Sequence, residues 1–85
     1  MTPRGPEEAL AGAERVQALA VAVREARAVL RRVDRLAATC EELDDPGAAE
    51  RGRTLRDAAE ATLDELLRHH AAAQRRTRAL VRRSP

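Results

Sequence analysis

Residues 44–47 read Asp44-Asp45-Pro46-Gly47, and this breaker lies almost at the midpoint of an 85-residue chain. Proline has no N–H and biases the residue before it away from helix. Aspartate is a strong helix N-cap, and proline suits the first helical position. The other prolines, Pro3, Pro6 and Pro85, sit at the ends of the chain. A helix, a tight turn and a second helix of nearly equal length therefore follow. The expected fold is all-α, a two-helix antiparallel hairpin of coiled-coil type, with two hairpins dimerising into a four-helix bundle.

Composition supports long helices. Ala is the commonest residue, followed by Arg, Leu and Glu, and aromatic residues are absent. That bias is typical of coiled coils. Val and Thr never alternate cleanly with polar residues, so no strand is expected. All 16 basic residues are Arg, beside 19 Ala, which points to a natural, high-GC bacterial source of actinobacterial kind. No apolar run is long enough to span a bilayer. The N-terminus passes into Glu7 and Glu8 without an apolar segment, so no signal peptide is expected. One cysteine, Cys40, forms no intramolecular pair. The expected location is the cytoplasm.

Residues 1–5 read as a flexible N-terminal arm, and residues 6–84 as one hairpin. The first helix is expected over residues 6–44, a rod of roughly 57 Å. Val16, Leu19, Val23, Ala26, Leu30, Val33, Ala37 and Cys40 recur at alternating three- and four-residue steps, the signature of a packed seam. Ala22, Val29, Leu36 and Leu43 flank this row and broaden it. The second helix is expected over residues 46–83. Its stripe reads Leu55, Ala59, Leu63, Leu66, His70, Ala73, Thr77 and Leu80, with Thr62, Leu67 and Val81 alongside. Gly52 reads as a weak point costing about 1 kcal/mol relative to Ala. A later start is the alternative, with Thr54 as cap, Leu55 as first helical residue and Asp57 completing a capping-box-like pattern. A tight turn brings residue i of the first helix near residue about 91 − i of the second. Leu36 then faces Leu55, Leu30 faces Thr62 and Leu10 faces Val81.

Two helices share one seam and enclose no interior, and a chain this small needs a further layer or a partner. Residues 16–23 read Val-Gln-Ala-Leu-Ala-Val-Ala-Val, and Val21 and Ala18 fall on the side away from the second helix. A helix apolar nearly all round is buried nearly all round. The expected oligomer interface comprises Val16, Leu19, Val21, Val23, Leu30, Leu66 and His70. A second copy is the economical partner; a heteromeric helical protein is the alternative.

The formal net charge of +2 conceals an asymmetry: residues 7–44 carry −2, residues 45–66 carry −3, and residues 67–85 carry +6 with no acid. A basic C-terminus complements the helix macrodipole, and the hairpin would set it beside Glu7, Glu8 and Glu14. The alternative role for Arg75, Arg76, Arg78, Arg82 and Arg83 is contact with an acidic partner or nucleic acid. Without aromatic stacking residues or a recognisable motif, nucleic acid is the weaker of the two.

No set of residues supports catalysis, so no enzyme activity, cofactor or metal is expected. Glu65 and His69 are four residues apart, whereas di-iron bundles use a Glu-x-x-His step, and no third ligand converges on them. Cys40 reads as a small core residue. His70 reads as a partly buried polar residue that sets register, with His69 solvated. Hairpins that dimerise and phosphorylate a histidine occur in sensor kinases, but there an acidic residue and an Arg/Lys-Thr-Pro tract follow it. Here Ala71-Ala72-Ala73 follows. In shape the chain resembles the Trp-x-Gly helical hairpins secreted by type VII systems. Its turn lacks their Trp, and without Tyr it has no Tyr-based export signal, so the likeness is of architecture alone. The function expected is a non-enzymatic helical interaction or assembly module, a homo-oligomer or a subunit of a larger complex. A regulatory or adaptor hairpin acting through its Arg-rich end is one alternative, and a secreted helical hairpin similar in shape only to type VII secretion substrates is the other.

Overall fold

The structure, a computed structural model, describes residues 5–83. Helix α1 spans Gly5–Glu42 and helix α2 spans Pro46–Arg83, 38 residues each. They run antiparallel as a hairpin measuring 65 × 17 × 14 Å. No strand occurs among the described residues, and no helix is long and apolar enough to cross a membrane. The N-terminal arm lies outside the described residues, except that Gly5 already opens α1.

The chain reverses over three residues. Helix α1 ends at Glu42, short of Asp44, and the Leu43 N–H donates back to the Cys40 carbonyl at 3.4 Å. Asp44 then takes a left-handed conformation, with φ of 55°. This geometry closes many helix C-termini, and Asp is among the few residues besides Gly that adopt it. Asp45 begins α2 as its N-cap. Its carboxylate Oδ1 accepts from the Gly47 N–H at 2.9 Å and the Ala48 N–H at 3.4 Å. Its carbonyl accepts the first helical hydrogen bond, from Ala49 N–H at 3.0 Å. Pro46 fills the first helical position, where a missing N–H costs nothing. Helix α2 thus starts at Pro46, and Thr54 is inside it rather than at a cap.

The seam is a heptad row on both helices. On α1 the residues from Val16 to Cys40 at alternating three- and four-residue steps are all buried or half-buried, and the row continues back through Gly12 to Ala9. On α2 the row runs through Leu63, Leu66, His70, Ala73, Thr77 and Leu80, but toward the turn it passes through Ala59, Arg56, Gly52 and Ala49. Leu55 was expected in this row; it is instead 45% exposed, and Arg56 is half-buried. Reaching Leu55 from Leu63 takes two successive four-residue steps, which swing it roughly 80° off the seam line. Phase outweighs side-chain type here, and Arg56 can lay its aliphatic stem along the seam.

Gly52 is a site of close approach. A β-carbon on it would lie 3.1 Å from Ala37 Cα and 3.2 Å from Cys40 Cβ. At the far end of the hairpin Gly12 lies against Thr77, with a β-carbon position 2.7 Å from Thr77 Oγ1. Small residues thus let the helices pack tightly at both ends. The buried apolar residues are Val23, Val33, Ala37 and Ala73 alone among those described. That is a thin core, because two of the four are alanines.

Thermal denaturation at one fixed chain concentration checks these contacts. Gly52→Ala is expected to lower stability by about 1–2 kcal/mol, because the added methyl pushes against the backbone of α1. Helix propensity alone predicts a gain of about 1 kcal/mol. Gly47→Ala, whose β-carbon would meet nothing nearer than 3.4 Å, should stay within about 0.5 kcal/mol of the parent. Asp45→Ala should cost about 1 kcal/mol through loss of the cap.

Candidate functional site

The seam leaves two lateral flanks near the turn, and they differ in chemistry. Arg53 and Leu55, two residues apart on α2, point to opposite sides because they lie roughly 200° apart around the helix. On the Arg53 side, its guanidinium Nη1 lies 4.0 Å from Glu41 Oε1 on α1, and its Nη2 2.8 Å from Glu50 Oε2 on its own helix. The Glu50 hydrogen bond, and after it the Glu50 charge, raises the Arg53 pKa; Glu41 and Asp57 add to this and desolvation opposes it. The group is solvent-exposed, so the pair marks the flank as charged and contributes little to stability.

The Leu55 flank is apolar. Val29, Leu36, Leu43 and Leu55 are 47%, 49%, 63% and 45% exposed. Between the helices on this side runs a groove of about 300 Å³ lined by Ala26, Val29, Val33, Leu55, Ala58, Ala59 and Thr62. The two threonines of this flank turn their hydroxyls inward. Thr62 Oγ1 donates to the Ala58 carbonyl at 2.9 Å, and Thr39 Oγ1 to the Arg35 carbonyl at 3.1 Å. Each thereby satisfies its donor within its own helix. Four exposed branched side chains around an apolar groove form a patch of the kind that marks an interaction site. At the opposite end, Leu10 and Val81 are also exposed.

The residues expected to form the oligomer interface are divided by the seam. Val23 is buried under α2. Val16, Leu19, Leu30, Leu66 and His70 are half-buried along the same seam, and Val21 is exposed outside it. The row rich enough to attract a partner is therefore the row that α2 already uses. Toward the turn the outward apolar residues are the flanking ones, Val29, Leu36 and Leu43, together with Leu55.

The basic end is also arranged differently from expectation. Arg75, Arg76, Arg78, Arg82 and Arg83 are exposed. Among the described residues, none forms an ion pair with Glu7, Glu8 or Glu14; the ion pairs present are those of Arg53 and of His69 with Glu65. His69 Nε2 lies 3.6 Å from Glu65 Oε1 on an exposed face. No three His, Cys, Asp or Glu side chains converge as a metal site among the described residues.

No protein-family model matches the chain, and comparison with curated proteins and with solved structures returned no match. The surface itself therefore carries the functional reading.

His70 occupies a half-buried seam position, and its side chain makes no hydrogen bond or ion pair among the described residues. His70→Leu is expected to raise stability by about 1 kcal/mol, since an apolar side chain replaces a polar one that gains no partner. Thermal denaturation checks the sign, and a loss of more than about 1 kcal/mol would assign His70 a stabilising polar contact.

Proposed function

We propose that this chain is a non-enzymatic assembly module of the bacterial cytoplasm, which works by packing its helices against those of a second copy. The observation that carries this reading is the apolar flank of Val29, Leu36, Leu43 and Leu55 beside so thin a core. A hairpin with two buried valines and two buried alanines has little apolar burial to offset chain entropy. Covering the flank adds burial at roughly 25 cal/mol per Å². Homo-oligomers of closed symmetry are the commonest way to cover such a surface. A heteromeric helical partner would satisfy the same chemistry, and the mass of the purified chain separates the two.

A second reading draws on the five C-terminal arginines, which no described carboxylate neutralises. They offer an anionic partner a basic tip, either an acidic protein or, less well supported, nucleic acid. The two readings respond differently to salt. Arginine-mediated binding to nucleic acid weakens steeply between low and physiological ionic strength, whereas apolar assembly scarcely changes.

Light scattering on the purified chain should give the mass of a dimer that persists at high salt. Its thermal midpoint should fall by several degrees on tenfold dilution, because dissociation is linked to unfolding. A monomer whose midpoint is independent of concentration would overturn self-assembly.

A further inference from the structure

We propose that the Arg53 flank is an electrostatic docking face for another copy of this chain, seated about a two-fold axis that runs parallel to the long axis of the hairpin. The face lies on the side away from Leu55, so it can be occupied whether or not the apolar flank is. It therefore goes beyond the assembly reading above. Copies paired through the apolar flank join through this one into larger assemblies, because a chain with two separate isologous faces is not limited to dimers.

The charges of this flank are sorted by helix. Arg24, Arg27 and Arg31 follow one another along α1 at three- and four-residue steps, and all are exposed. Asp57, Glu60 and Asp64 do the same along α2. By phase, both rows lie on the side of the seam where Arg53 meets Glu41. Like charges at these spacings repel on one helix, so neither row helps its own helix. Nor does one row neutralise the other within the hairpin, since none of the six forms an ion pair among the described residues. The register set by Gly12 against Thr77 and Gly52 against Ala37 puts Arg27 at the height of Asp64, and Arg31 at the height of Glu60. Toward the turn the signs exchange: α1 becomes acidic at Asp34 where α2 becomes basic at Arg53.

A two-fold axis along the hairpin keeps every height and lays α1 of one copy on α2 of the other. Arg27 then meets Asp64 of the second copy, Arg31 meets Glu60, and Asp34 comes over Arg53. Each contact occurs twice, as an isologous interface requires. At the open end the same operation brings Leu10 onto Val81, which are 62% and 58% exposed. Glu41 and Glu50, nearest the turn, share Arg53 within one copy. The other two-fold in the plane of this flank runs across the hairpin and lays α1 on α1 and α2 on α2. Centred on the charged rows, it sets arginine over arginine and carboxylate over carboxylate, which opposes association. Charge thus selects both the occupant, a second copy, and its orientation. The contact, about 36 Å from Leu10 to Asp34 on a body 17 Å wide, buries on the order of 1,000 Å² over both copies, the low end for a specific interface.

Light scattering on the full chain tests the face, with helicity followed by circular dichroism. The mass at about 0.01 M salt should be about twice that at about 1 M salt or more, because the Debye length shrinks from roughly 30 Å to roughly 3 Å. One variant carries Arg27→Glu with Arg31→Glu, and another Glu60→Arg with Asp64→Arg. Each should stay at its high-salt mass throughout, since each sets like charges across the interface. An equimolar mixture of the two should regain the low-salt mass, because every facing pair is again of opposite sign. Arg35→Glu with Arg68→Glu makes the first variant's change of net charge on the side away from the seam, and should leave the low-salt mass unchanged. Loss in that control, or loss without recovery in the mixture, would overturn the face. A parent mass independent of salt would overturn it too, and a dimer at both salts would leave the apolar reading standing. A high-salt monomer that pairs at low salt would keep this face and overturn the apolar one.

Discussion

The hairpin depends on how closely its helices approach beside the turn. Gly52 lets the backbone of α2 come against Ala37 and Cys40, and Asp44 and Asp45 reverse the chain tightly enough to bring them there. Small residues at the seam reduce the distance between helix axes, toward the short end of the roughly 8–10 Å range. The consequence is a narrow seam that encloses few atoms. Val29, Leu36 and Leu55 stay in water because their phase sets them beside this seam rather than in it.

The flanks then divide the labour. Arg53 spans the helices on one side with Glu41 and Glu50. The other side is apolar, grooved, and bordered by Glu25 and Arg51.

Much of this was legible along the chain. The breaker at residues 44–47 identified the turn, the cap and the hairpin, since each rests on local backbone chemistry. The α1 row from Val16 to Cys40 was legible because its three- and four-residue alternation is unbroken. The α2 row was misread at Leu55, where a large apolar residue stands one place beyond the seam phase that Arg56 continues. Gly52 was misread for a related reason. Helix propensity assigns it a cost, and the space that it vacates matters only once another helix occupies it. The expected pairing of Glu7, Glu8 and Glu14 with the C-terminal arginines does not form among the described residues, because proximity of opposite charges along a solvated end does not hold long side chains together.

The amino-acid sequence by itself determined two helices, their boundary and the face of α1 that packs, because capping, proline geometry and hydrophobic period act over a few residues. Only the tertiary structure decided which apolar residues that packing consumes and which it leaves outside. That division depends on the distance between two helices and the phase at which they meet. Both are set by contacts between residues far apart in the chain, above all Gly52 with Ala37.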